Sequence, residues 1–382
     1  MNIDPIGRQT TTTFDAAGQQ IAYQSALGYL STNTFDAAGR QIARMDPLGY
    51  VTTTVFDSAG RTSAVINPLG YAYSFLFDVA SRLIGKQDAL GHINSTIYDA
   101  ASRTLAEIDP LGFALTNIFD ANSRRTQQLD YNSVRASFTY SLRDETLSET
   151  NADGFSTTFG FDANGRRITR RFPTGDLTSY AFDPNSRLTT TLYADGTIVS
   201  LAFDPLGSKT TMIDSTGTTT YAFDPLRRLI GKTDPGNLVQ AYGYDLASQR
   251  TKLIDPDGVA RTMLFDRDGR LTTYMDTSGV TSLVWDAAAR LTTRTVPSGG
   301  VTGWGYDLND LITSLTEAGP TGTIFQYTTY LNDAAGNRVG IQDSNGSATT
   351  YLLDAKTGLS GTTLPAQTPT TILILTMEKT TF

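Results

Sequence analysis

The chain has 382 residues with 30 Lys+Arg against 38 Asp+Glu, and this acidic balance, with no basic run, speaks against a nucleic-acid surface. The absence of Cys excludes disulfides, Cys-zinc sites and thiol chemistry, while leaving the compartment open. The longest apolar run, Ile372–Leu375, is far short of a membrane span, and the opening MNIDPIGRQT lacks the basic-then-apolar order of a signal peptide.

Taken in chain order, the first recognisable feature is Asp4-Pro-Ile-Gly7, a turn-forming tetrad reached before any strand of useful length. The chain therefore reads as beginning in the middle of an array, as a fragment or a partial reading frame would. Next come aromatic–Asp pairs at Phe14-Asp15, Phe35-Asp36, Phe56-Asp57, Phe77-Asp78, Tyr98-Asp99 and Phe119-Asp120, each 21 residues after the last. At Tyr140-Ser141 the Asp is lost and the register kept. The series resumes at Phe161-Asp162, Phe182-Asp183, Phe203-Asp204, Phe223-Asp224, Tyr244-Asp245, Phe265-Asp266, Trp285-Asp286 and Tyr306-Asp307, in steps of 20 or 21. A fixed period of this length marks a repeat architecture, which grows without separate cores, so one continuous body is expected in place of two or three domains.

Within a repeat, Tyr71, Tyr73, Phe75 and Phe77 fall at every second position, the spacing of one face of a strand. The same alternation recurs at Tyr180/Phe182 and Tyr242/Tyr244, and the Thr runs at 52–54 and 189–191 add β-branched stiffness. Two turn sequences alternate. One follows the aromatic residue: Asp36…Gly39-Arg40, Asp57…Gly60-Arg61, Asp78…Arg82, Asp99…Arg103, Asp162…Gly165-Arg166, Asp183…Arg187 and Asp266…Gly269-Arg270. The other is Asp-Pro-x-Gly, as in Asp46-Pro47-Leu48-Gly49, where Asp at the first position, Pro fixing φ at the second and Gly at the fourth suit a type I turn. Each repeat is then strand, turn, strand, turn, a hairpin plus the link to the next.

A lone hairpin is marginal in water, so each unit needs its neighbours to pair its edges and cover its aromatic face. About seventeen two-stranded repeats at ~4.8 Å per strand would make a ribbon roughly 160 Å long if flat. Twist forbids flatness over that many strands. The expected fold is all-β: one long coiled antiparallel sheet that curves back over itself, too wide for side chains to fill. The array is read over 1–354, and 355–382 as a degenerate tail in which the period is lost.

The register FDxxGR…DPxGxxTxxxFD, over about residues 3–354, resembles the YD-repeat, or Rhs-repeat, family: bacterial Rhs polymorphic toxins, wall-associated proteins, the C components of insecticidal toxin complexes and animal teneurins. The resemblance implies a hollow β-cocoon that encloses or presents a C-terminal toxin segment, export to the envelope or beyond, and in some members contact with surface glycans. Asp354-Ala-Lys-Thr-Gly358 is faintly similar to the family's C-terminal core signature. The Arg-Phe and Asp-Pro that should follow it are missing, and with them any inference of self-cleavage.

Enzymatic readings find little footing. The single His, His92, stands where other repeats place Tyr50, Tyr71 or Phe113, and nearly all carboxylates occupy first turn positions, where backbone bonding accounts for them. Asp255-Pro-Asp-Gly258 and Asp266-Arg-Asp-Gly269 echo calcium loops without the remaining ligands, and Asn94-Ser-Thr96 matches a glycosylation sequon of three residues. No catalytic, cofactor or metal site is expected. The Asp-to-Arg spacing of four would allow ion-pair ladders along one rim of the sheet, contributing about 0–1 kcal/mol each if exposed; turn geometry and rim solubility are the preferred reading. The reading is thus a non-enzymatic shell scaffold. Its alternative, a cell-surface adhesin or carbohydrate-binding array, would show Tyr73, Tyr180 and Tyr242 exposed in rows. Open sheet edges and Ile372–Leu375 make self-association an expectation.

Overall fold

The computed structural model describes residues 1–130, 135–354 and 359–363, so Ile372–Leu375 and most of the tail lie outside the described residues. Among the described residues thirty-five strands follow one another, beginning with β1 (Asn2–Ile3), β2 (Gln9–Phe14), β3 (Gln20–Gln24), β4 (Leu30–Phe35), β5 (Gln41–Met45) and β6 (Val51–Phe56) and closing with Leu359–Thr363. That last strand falls in the stretch assigned above to the tail. Each strand pairs antiparallel with its sequence neighbours, giving one uninterrupted meander with no helix among the described residues.

The two turn sequences share one geometry. In Asp36–Arg40, Gly39 N–H donates to the Asp36 carbonyl at 3.0 Å and Asp36 N–H donates to the Arg40 carbonyl at 2.9 Å. The Asp36 Oδ1 accepts the N–H groups of Ala38 and Arg40, both at 2.9 Å. Asp46–Tyr50 repeats this pattern bond for bond, with Oδ1 accepting from Leu48 at 2.9 Å and Tyr50 at 2.8 Å. Gly39 and Gly49 have φ of +80° and +86°, the left-handed setting that closes such a turn. Where the period shortens to 20, the link is a two-residue loop: Asp214 pairs directly with Gly217, and Asp276 with Gly279. At Ser141 the hydroxyl oxygen replaces the carboxylate, accepting from the N–H groups of Arg143 and Glu145 at 3.1 and 3.2 Å, which explains how the register survives the loss of Asp.

Curvature comes from a second regularity. In the hairpin across each turn at the aromatic phase the register slips by one residue just before the last residue of the strand, a ring in most repeats, from Thr13/Phe14 through Thr34/Phe35 to Leu352/Leu353. The link hairpins run without a shift, save at Glu317/Ala318. A bulge at a fixed phase adds local twist with the same sense every repeat, so the sheet coils. It coils far enough to meet itself. Arg8 Nη1 donates to Gln249 Oε1 at 3.2 Å and Leu27 N–H to Asp268 Oδ1 at 3.1 Å, contacts between residues 241 apart. At about half of 21 residues per strand, one revolution takes ~23 strands, and at ~4.8 Å each this is a tube roughly 35 Å across. Sheets closed at that width leave a lumen.

A wide single-layer tube has no solid core. Among the described residues only Ala106, Met263 and Ala318 are buried hydrophobics, and no large side chain is fully buried. The sequence reading expected the ring-bearing face to be kept dry by its neighbours. The rings are instead half-buried, or exposed as at Phe14 and Tyr71, because each strand packs only against its sequence neighbours and cover comes from the side.

Candidate functional site: the Asp–Arg–aromatic ladder and the seam

The aromatic-turn positions singled out by the repeat form a ladder along one rim of the sheet, while Asp46, Pro47 and Gly49 lie in a link turn on the other. In the turns that end in Arg, Asp uses Oδ1 to close its turn and Oδ2 to take the Nε–H of the Arg four residues on, at 2.8 Å for Arg40 on Asp36, 2.7 Å for Arg61 on Asp57 and 2.6 Å for Arg82 on Asp78. The guanidinium then reaches into the next repeat. Arg40 lies over the ring of Phe56 at 4.5 Å, Arg61 over Phe77 at 4.6 Å, Arg82 over Tyr98 at 4.9 Å, and Arg166 over Phe182 at 5.0 Å. Its Nη1 donates to the carbonyl of the next turn's first residue, as from Arg61 to Asp78 at 3.2 Å, Arg82 to Asp99 at 3.0 Å, Arg166 to Asp183 at 3.1 Å and Arg187 to Asp204 at 2.9 Å. Arg103 continues the run over Phe119. The rim ladder that the four-residue spacing allows is present, and its pairs are half-buried staples between repeats: a planar fork with five donors can serve its own turn, a ring and a distant carbonyl together, which spacing within one repeat cannot reveal.

The fourth turn position completes the ladder. Gly60, Gly165 and Gly269 sit there at φ of +79°, +74° and +81°, whereas Ser81, Ser102, Ser123 and Ser186 hold the same left-handed backbone with a side chain. That side chain has a use: the Ser81 Oγ accepts from Arg61 at 3.1 Å and the Ser102 Oγ from Arg82 at 3.3 Å. Ala289 takes φ +64° with no such acceptor. Ala289→Gly is expected to stabilise the array by about 1 kcal/mol, read as a shifted denaturation midpoint, since it relieves left-handed strain and removes no bond. The same exchange at Ser81 should gain less.

Where the ring is Tyr, its hydroxyl is also satisfied, Tyr98 donating to the Leu83 carbonyl at 3.0 Å. The glycan-reading rings are occupied likewise: Arg167 stands 5.8 Å over Tyr180 and Arg250 5.9 Å over Tyr242. All three are half-buried, and burial, then Asp88 and Asp333, raises the Tyr73 pKa. Phe35, Phe161 and Phe265 end their strands at the same phase. His92 sits in a link turn, its Nδ1 3.1 Å from Asp88 Oδ2, and Asn94 lies within a paired strand. No group of three metal-ligating side chains occurs among the described residues.

The ladder is polarised by its hydrogen bonds. The carboxyls of Asp36 and Asp57 are held below their ordinary value of 3.8, first by the backbone N–H of the Arg at the turn's end and then by its guanidinium. Asp78, Asp99, Asp162, Asp183 and Asp224 are lowered too, again first by that N–H. A folded pKa below the unfolded one gives stability that is complete above the unfolded value and disappears as pH falls through the folded values. Thermal midpoints followed by circular dichroism should stay level to about pH 5 and drop below about pH 4. An equal midpoint at pH 3 and pH 7 would contradict this.

The second feature is the seam where the coil meets itself. Link turns near Asp4, Ser25, Asp46 and Asn67 lie against aromatic turns near Asp266, Asp286, Asp307 and Asp333, with clefts lined by Pro47, Tyr50 and Pro68 on one side and Leu308, Asn309 and Ala335 on the other. Arg270 lies 5.5 Å over Tyr29. The seam's Arg270 and Arg290 are 13% and 14% exposed, against 36% for Arg40 outside it. This contact surface was invisible to local pattern. Sequence reasoning placed the repeat residues and missed that two rows of turns meet.

An all-β tube of in-phase hairpins, stapled by Asp–Arg–aromatic units and closed along a turn-to-turn seam, defines a repeat shell. The RHS Repeat family model matches residues 35–71, 161–198 and 228–260, and the chain carries RHS repeats there. No curated protein matches it by sequence. Among solved structures it is similar to the TcdB2-TccC3 complex, at 16% identity and a TM-score of 0.80 over 94% of this chain and 24% of that one. The same complex without its hypervariable C-terminal region aligns at 16% identity and 0.79, covering 94% and 23%. The Photorhabdus luminescens Tc holotoxin pore aligns at 15% and 0.78, covering 94% and 23%. The chain shares the fold of the matched part of these structures and spans about a quarter of the length of the chains it matches.

Proposed function

We propose that the chain is a non-enzymatic wall segment of a hollow shell that encloses or presents a C-terminal effector in an exported protein. The observation that supports this best is the self-meeting coil: contacts across 241 residues turn a ribbon into a tube with a lumen and no core. The ladder serves the same end, because stapling each repeat to the next stiffens a wall that packing does not stabilise. The similar TcdB2-TccC3 complex solved without its hypervariable C-terminal region fits a constant wall around a changeable content. Rings engaged by Arg side chains leave less support for a bare row of sugar-stacking aromatics.

The test is protection. A disordered reporter segment appended after Phe382 and exposed to a nonspecific protease should be cut much more slowly than the same segment appended to an unrelated β-protein. Equal cutting rates would overturn enclosure, though not the fold.

A further inference from the structure

The seam consumes only part of the link-turn rim. Further along, the turns Asn151–Gly154, Phe172–Gly175 and Tyr193–Gly196 border an open groove lined by Phe155, Phe172, Pro173, Tyr193, Asp176 and Asp195. Phe155 is 60% exposed and Tyr193 44%. Two of these turns carry a ring at the first position, where the Asp usual to this array would stand. An apolar rim in water, continuous with a rim that the chain covers elsewhere, has the character of an unfilled interface.

The covered part shows what fits. Phe155 is the fourth residue after Asn151, as Tyr29 is the fourth after Ser25, and both turns are closed by the same backbone bonds. On Tyr29 sits the guanidinium of Arg270 from an Asp-x-x-Gly-Arg turn. Such turns also form the opposite rim of the first coil, where Ala37 and Ala38 are exposed, while the equivalent Ala287 and Ala288 are partly covered in the seam. The two uncovered rims thus repeat the chemistry of the two joined ones: rings and carboxylates (Asp176, Asp195) on one, small residues and Arg on the other.

We propose that the groove at Phe155, Phe172 and Tyr193 seats the aromatic-turn rim of a second copy of this chain, an Asp-x-x-Gly-Arg turn docking there as Asp266–Arg270 docks on Ser25–Tyr29. The joined surfaces differ, so the contact is head-to-tail and adds copies in series. It is a rim contact, separate from pairing at open strand edges.

Sedimentation velocity of the full chain over a wide concentration series tests this. The expected result is growth from monomer to species of two or more copies, and for Phe155→Asp with Tyr193→Asp an association about tenfold weaker at unchanged circular dichroism. Because a variant with a dead groove still offers its other rim, adding it to wild type should cap the series and shorten the assemblies. Wild type that stays monomeric throughout overturns the proposal. So does a folded double variant that associates like wild type, which would assign the association to strand edges, and so does a mixture in which the variant leaves assembly length unchanged.

Discussion

Gly279→Val is expected to destabilise its part of the array by about 3 kcal/mol, the sum of left-handed strain and overlap with a rigid ring. Gly279 closes the two-residue loop after Asp276 with φ +125°, and a Cβ built there lies 2.8 Å from Cβ of Pro297 in the next link turn. Gly299 against Pro320 repeats the arrangement at 2.8 Å, so these link turns stack Gly on Pro from one repeat to the next. Gly258 separates the two costs, since it has φ +78° with no atom within 4 Å of a Cβ. Gly258→Val should therefore lose only the backbone part, about 1–2 kcal/mol. Because a repeat array need not unfold in one step, the comparison is best read by native-state hydrogen exchange of the amides in Leu271–Asp276 and Gly279–Trp285 for Gly279→Val and in Arg250–Ile254 and Ala260–Phe265 for Gly258→Val. Equal losses for the two variants would mean that the stack contributes nothing.

Arg290→Ala should cost about 2 kcal/mol, more than a surface ion pair, because one side chain carries several bonds in a partly covered site. Its Nε meets Asp286 Oδ2 at 2.6 Å, its Nη1 donates to the Asp307 carbonyl at 3.1 Å and Asp310 Oδ1 at 2.9 Å, and its guanidinium covers Tyr306 at 4.8 Å. Lys in its place keeps the charge and loses the fork, so Arg290→Lys should recover less than half of the loss. Arg294, exposed four residues away, provides the contrast: its removal should change stability by no more than about 0.5 kcal/mol. Denaturation midpoints of the three variants decide the matter, and equal effects for Arg290→Ala and Arg294→Ala would remove the ladder from the account of stability.

How the local structure could be read so early has a physical explanation. Alternation in Tyr71–Phe77 specifies a strand because side chains in a strand repeat every two residues, and Asp36 with Gly39 specifies a turn because the carboxylate and the left-handed backbone act within five residues. These are short-range effects, complete before the chain has any global shape. Even so, the alternating turn sequences concealed one shared closure, since Tyr50 and Arg40 differ in side chain and agree in their backbone bonds.

The amino-acid sequence by itself determined the period, the strands, the turns, the hairpin pairing and hence a sheet that had to coil. Tertiary structure alone decided how far it coils: the seam between Ser25 and Asp266 depends on a small twist per strand added over some two dozen strands, and a slight change in each would place other turns in register. It also decided that Arg40 reaches Phe56 beyond serving Asp36, because a guanidinium chooses partners by direction and distance once neighbouring hairpins are set side by side.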